Sequence, residues 1–131
     1  MGSIYSFEGD YSGNKKVVRA NLLLIHFTDE NGIHIIYSPH LDLSGYGKTE
    51  KEAKESFELV FKEFLDYTIK KKTLGKLLQK LGWKIKGSLK HPRKMIVPEL
   101  KSVLDNNYVS EIFDKYETHT YHQPVKIPAF A

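Results

Sequence analysis

The side chains of this sequence that could do chemistry are its cations, its histidines and a few carboxylates in turns. Between Lys70 and Lys94 stand ten basic residues and no acid: Lys70, Lys71, Lys72, Lys76, Lys80, Lys84, Lys86, Lys90, Arg93 and Lys94. The rest of the 131 residues carries 10 basic and 16 acidic side chains, so a formal charge of +4 conceals a segment of +10 and a body of −6. Lysines without a neighbouring acid attract a polyanion, because each phosphate they contact releases a condensed counterion. Lys72, Lys76, Lys80, Lys84, Lys86, Lys90, Arg93 and Lys94 are therefore the candidate residues for binding DNA, RNA or an acidic partner. The competing readings are a solvated face, or a docking surface for the acidic first turn of the long helix in another subunit.

The histidines offer less. His119 and His122 are the closest pair, but residues three apart in a strand point to opposite faces. With no Cys in the chain to complete a site, no metal site is expected. His26 and His34 fall in neighbouring strand-like segments and could face each other as sheet residues. No nucleophile elbow, P-loop or dinucleotide fingerprint is present. Gly45-Tyr46-Gly47 precedes a capped helix, where a phosphate could sit, yet Glu50 and Glu52 put negative charge there. No catalytic residue and no cofactor is assigned.

The elements that must position these residues follow from composition and periodicity. An apolar content of 40% is enough to fold a chain of this length. Without Cys a disulfide scaffold is excluded, and no apolar run approaches the ~20 residues that span a bilayer. The N-terminus lacks a secretory apolar stretch, so a cytoplasmic location and no membrane partner are expected. Residues 1–16 read as an edge strand or a flexible arm. Val17 to Phe27 is too apolar for simple alternation and predicts a strand covered on both faces. Asn31-Gly32 supplies a turn and Ile33 to Tyr37 the return strand, a hairpin signal. Pro39 ends that strand, and a brief third one fits between His40 and Gly47.

Thr49-Glu50-Lys51-Glu52 is a capping box, with Thr49 expected to accept from the Glu52 amide and Glu52 to reach back to the Thr49 amide. Behind it, Ala53, Phe57, Val60, Phe61, Phe64 and Leu65 mark one face of a helix from about Glu50 to Lys71. Thr73 is expected to cap a second helix with the stripe Leu74, Leu77, Leu78 and Leu81, ended by Gly82. Lys84 and Lys86 alternate with Trp83 and Ile85 in a short strand. Gly87 to Lys94 reads as a basic loop. One or two short helices broken near Asn106-Asn107 and a terminal edge strand or arm from Thr118 to Ile127 complete the chain. The fold class is α+β: a small antiparallel sheet with one long amphipathic helix packed on it, in the order β-β-β-α-β, plus a basic helix and strand extension. The expected organisation is an arm over 1–16, a core over 17–87 and a C-terminal extension over 88–131.

The block from about Leu22 to Leu65 resembles the HicB antitoxin family. The residues that carry the likeness are Ser38-Pro39-His40-Leu41-Asp42-Leu43-Ser44-Gly45 after the hairpin, then Gly47, Thr49, Lys51-Glu52-Ala53, and the apolar face from Phe57. The resemblance implies a partial RNase-H-like core without nuclease carboxylates, which binds and neutralises a small RNase toxin and forms a homo-oligomer. Family members also bind operator DNA through a C-terminal module, of which this chain shows no clear counterpart, so contact with nucleic acid would fall to the basic surface. The alternative is an RNA-processing enzyme or RNA-binding protein using residues 70–94.

Overall fold

The computed structural model describes residues 17–87 and 92–128; the expected arm over 1–16 lies outside them. The elements run β1 (Val17–Thr28), β2 (His34–Ser38), β3 (Leu43–Gly47), α1 (Glu50–Lys70), α2 (Leu74–Lys80), β4 (Lys84–Gly87), β5 (Pro92–Ile96), α3 (Leu100–Leu104), α4 (Asn107–Lys115) and β6 (Thr118–Pro128). β1, β2, β3 and β6 form an antiparallel sheet in the order β3-β2-β1-β6, while β4 and β5 make a separate two-stranded ribbon. The fold is α+β, as the sequence predicts.

Strand parity decides the layers. Leu22 and Leu24 of β1 join Ile36 in one apolar cluster under Ala53, Phe57, Phe61 and Leu65 of α1 and Leu74 and Leu78 of α2. Leu23, Ile25 and Phe27 point the other way and join Ile35 and Tyr37 against Val103, Val109 and Ile112 of α3 and α4. β1 is continuously apolar from Leu22 to Ile25 because helices cover both of its faces there. The expectation of one helix on one face is thus incomplete: α3 and α4 cover the second. β6 pairs with β1 from Val17↔Pro128 to Phe27↔Thr118 and is a sheet edge, as its prolines require. Met95, Val125 and Ile127, from the segment read as an extension, lie in the same cluster as Leu22 and Phe57.

The joint between β3 and α1 depends on two glycines. A Cβ at Gly45 would fall 2.6 Å from the Phe57 Cα and 2.7 Å from the Ala53 carbonyl oxygen; one at Gly47 would fall 2.5 Å from the Ala53 nitrogen. The helix backbone therefore rests directly on β3. Ser56 reaches from α1 to accept the outward Tyr46 amide at 3.1 Å, which occupies a donor on the free edge of β3.

The capping box forms with one change of partner. Thr49 Oγ1 accepts from the Glu52 amide at 3.1 Å, but Glu52 Oε1 takes the amide of Lys48, at 2.9 Å, rather than that of Thr49. The extended backbone at Thr49 carries the preceding amide toward the carboxylate. The helix then ends in a Schellman turn, with Thr73 N–H on the Thr68 carbonyl and Lys72 N–H on that of Ile69. Lys72 occupies the position glycine usually takes, with φ of 59°.

Candidate partner and nucleic-acid interface

The basic surface is built by two helix stops and a ribbon. After Lys72, Thr73 does not cap α2: its backbone is already helical, and its hydroxyl turns back to the Thr68 carbonyl at 3.4 Å. That correction follows from the tight Schellman turn, which leaves no extended residue from which a side chain could reach forward. Leu74 and Leu78 are buried, Leu77 and Leu81 partly so, and Lys76 and Lys80 stand one turn apart on the exposed side of α2. Gly82, at φ of 98°, ends α2 by a second Schellman turn, in which the Trp83 amide bonds the Leu78 carbonyl.

Trp83 then anchors the ribbon. Its indole N–H donates to the His40 carbonyl at 2.9 Å from a buried position. Beyond the Ile25↔Tyr37 pair, where β2 stops pairing with β1, the imidazole Nδ1 of His40 accepts the Leu23 amide at 3.3 Å. Burial, assisted by nearby His122, lowers the His40 pKa to about 4, against a bond to the Pro98 carbonyl that works the other way. A neutral histidine is thereby part of the floor beneath the basic surface.

Ile85 faces inward, and Lys84 and Lys86 are exposed on the outer side of β4. The expectation of a basic loop through Lys94 is corrected here: Pro92 to Ile96 form a strand, with Lys86 opposite Lys94 and Lys84 opposite Ile96. Proline stands at its first position, where a strand tolerates it, the register shifts between Lys86 and Gly87, and the buried Met95 ties the strand to the core. Arg93 and Lys94 thus belong to the ribbon backbone, while Lys90 lies outside the described residues. Lys72, Lys76, Lys80, Lys84 and Lys86 are all exposed and follow one another along consecutive elements.

A second constellation joins residues that spacing alone leaves apart. His26 Nε2 lies 2.9 Å from His34 Nδ1, as facing strands allow. His119 of β6 stacks on His26 from the other side, with ring centroids 5.8 Å apart. Glu50, in the first turn of α1, comes to 3.7 Å from His26 Nδ1 and to 3.4 Å from Lys54, and Lys54 covers the Tyr121 ring. Desolvation lowers the His26 pKa; Glu50 raises it, and the neighbouring histidines and Lys54 lower it further. One proton between the two imidazoles satisfies the short contact. The participation of His119 and Glu50 has a sequence signal only in retrospect, since it depends on β6 lying beside β1. His119 and His122 do fall on a strand, and among the described residues no group of three or more His, Asp or Glu is placed to hold a metal ion.

No helix among the described residues is long and apolar enough to cross a membrane. Comparison of the chain with protein-family models, with curated proteins and with solved structures finds no match.

Proposed function

We propose that this chain is a non-catalytic, HicB-like antitoxin: it binds and neutralises a small RNase toxin and contacts nucleic acid through the basic surface of α2 and the β4–β5 ribbon. The observation that carries the reading is the joint between β3 and α1. The residues that bear the resemblance meet in one structural unit. Pro39 and Asp42 form the bend, Gly45 and Gly47 seat the helix, Thr49 and Glu52 cap it, and Ala53 and Phe57 are its first buried residues. A hairpin, third strand and capped helix in that order are what the resemblance requires. The exposed lysines support the nucleic-acid part, because five of them present charge along consecutive elements.

The test is to express the reading frame that neighbours this chain's own, alone and together with this chain; that frame is expected to encode a small, growth-arresting RNase. Growth is expected to be restored and the two proteins to co-purify, while the purified chain leaves RNA intact. Cleavage of RNA by the chain itself would establish the enzyme alternative instead. For the nucleic-acid part, the double variant Lys76→Glu, Lys80→Glu is expected to bind duplex DNA or RNA more weakly. Its logarithmic salt dependence should be shallower by about 2, one phosphate contact per lysine. Absence of any affinity at low salt would remove the nucleic-acid role.

A further inference from the structure

Away from the lysines, where the β1–β2 turn meets α4, the surface holds a cleft of about 200 Å³. That is smaller than the pockets that take cofactors and drug-sized ligands, ~300 Å³ and upward, and suits a single long side chain. Its floor is apolar, from Phe27 and Ile112, and its walls are the rings of Tyr108 and Tyr116. Tyr116 is stacked on Phe27 at 4.9 Å, and Tyr108 meets Tyr37 edge-on at 4.9 Å while remaining 44% exposed. Both rings are therefore held in place by an aromatic neighbour.

The rim is acidic. Asp29, Glu30 and Glu111 line it against one ammonium, that of Lys115. Asp29 is fixed by accepting the amides of Asn31 and Ile33 at 2.9 and 3.0 Å. Glu30 accepts from the Tyr116 hydroxyl at 2.8 Å. Lys115 lies 5.5 Å over the Tyr116 ring and 4.0 Å from Glu30. The cleft thus already contains one cation between an aromatic ring and a carboxylate; Tyr108 and Glu111 offer a second pair of those groups, with Glu111 also within electrostatic reach of Lys115.

We infer that this cleft is a docking site for a basic protein segment, which inserts an arginine or lysine side chain between Tyr108 and the Glu111 carboxylate. The aliphatic stem lies along the apolar floor and the charged head meets ring and carboxylate, an arrangement that suits guanidinium better than ammonium because it also stacks. The occupant follows from charge complementarity: three carboxylates on one rim repel nucleic acid and draw a cationic chain. This surface is separate from the basic one, and the inference does not rest on the antitoxin-like reading.

The experiment uses the full chain and a fluorescein-labelled hexa-arginine peptide, with binding followed by anisotropy at low salt and hexalysine as comparison. Wild type is expected to bind, with hexa-arginine ahead of hexalysine. Tyr108→Ala and Glu111→Gln should each weaken binding about fivefold, whereas Glu55→Gln, an exposed acid on α1, should change it less than about twofold. Tyr108 packs on Tyr37, so Glu111→Gln, at an exposed helix position, decides the matter if Tyr108→Ala fails to fold. Equal losses for Glu111→Gln and Glu55→Gln would reveal diffuse attraction and overturn the site, as would absence of binding by wild type. Neither toxin nor nucleic acid enters the assay, so its failure would leave the proposed function standing.

Discussion

Gly45→Ala tests the joint on which the fold and the functional reading both depend. The added methyl group would lie 2.6 Å from the Phe57 Cα and 2.7 Å from the Ala53 carbonyl oxygen, where carbon–carbon contact prefers about 3.5–4.0 Å. These neighbours are helix backbone, so no side chain can rotate away. α1 must retreat by roughly 1 Å, and a gap of that size forfeits about a quarter to a half of each dispersion contact it opens. Ala53, Phe57 and Phe61 are fully buried along the same face, so they share the loss. Overpacking commonly costs about 1–3 kcal/mol, and a clash with rigid backbone belongs at the upper end. The expected destabilisation is about 3 kcal/mol, or a melting temperature lower by roughly 10 °C for a chain of this size. Urea titration followed by fluorescence of Trp83, the only tryptophan and a member of the same cluster, measures it directly. Gly32→Ala is the comparison: its Cβ would meet nothing within 4 Å, but φ is +79°, so only backbone strain of about 1–2 kcal/mol is expected. A Gly45→Ala loss below that of Gly32→Ala, or within about 0.5 kcal/mol of wild type, would refute the account of the joint.

Acid should destabilise the fold through His40. Its pKa falls from 6.5 to about 4 on folding, so the unfolded chain binds the proton more readily. The stabilisation is complete above pH 6.5 and is lost as pH falls through 4, by about 3 kcal/mol in all. The lowered pKa of His26 acts with the same sign; urea midpoints that do not move between pH 7 and pH 4 would contradict both. Lys72→Gly should raise stability by about 1 kcal/mol, because it relieves a left-handed lysine at φ of 59°. The same variant should weaken polyanion binding, which chemical denaturation and a salt-dependent binding curve separate. Thr49→Ala should cost about 1 kcal/mol through the lost cap. Thr73→Ala should cost clearly less, since its hydroxyl makes no cap bond; equal losses by thermal melting would restore Thr73 as a cap.

Local chemistry was legible wherever neighbours along the chain decide the outcome. The Asn31-Gly32 turn, the Thr49 cap, the apolar face of α1 and the Gly82 stop appear where their residues predict, because each depends on a few adjacent dihedrals and hydrogen bonds. The exposed placement of Lys76, Lys80, Lys84 and Lys86 was legible for the same reason, since periodicity turns the alternate residues inward. Thr73 misled because a Schellman turn that ends one helix had consumed the geometry needed to cap the next. The strand at Pro92–Ile96 was hidden by its basic composition; its pairing with β4 and the burial of Met95 outweigh weak local preference.

What the sequence determines by itself is most of the elements, β5 excepted, and the separation of charge, with ten cations confined between Lys70 and Lys94. Neither depends on which elements become neighbours. The tertiary structure decided that β6 lies beside β1, and so that His119 stacks on His26. It placed α3 and α4 on the second face of the sheet, and so brought Tyr108 and Glu111 to the acidic turn at Glu30. It also joined His40 to Trp83 across 43 positions. These contacts are fixed by burial of apolar faces far apart in the chain, and burial of that kind leaves no local trace in the residues that it brings together.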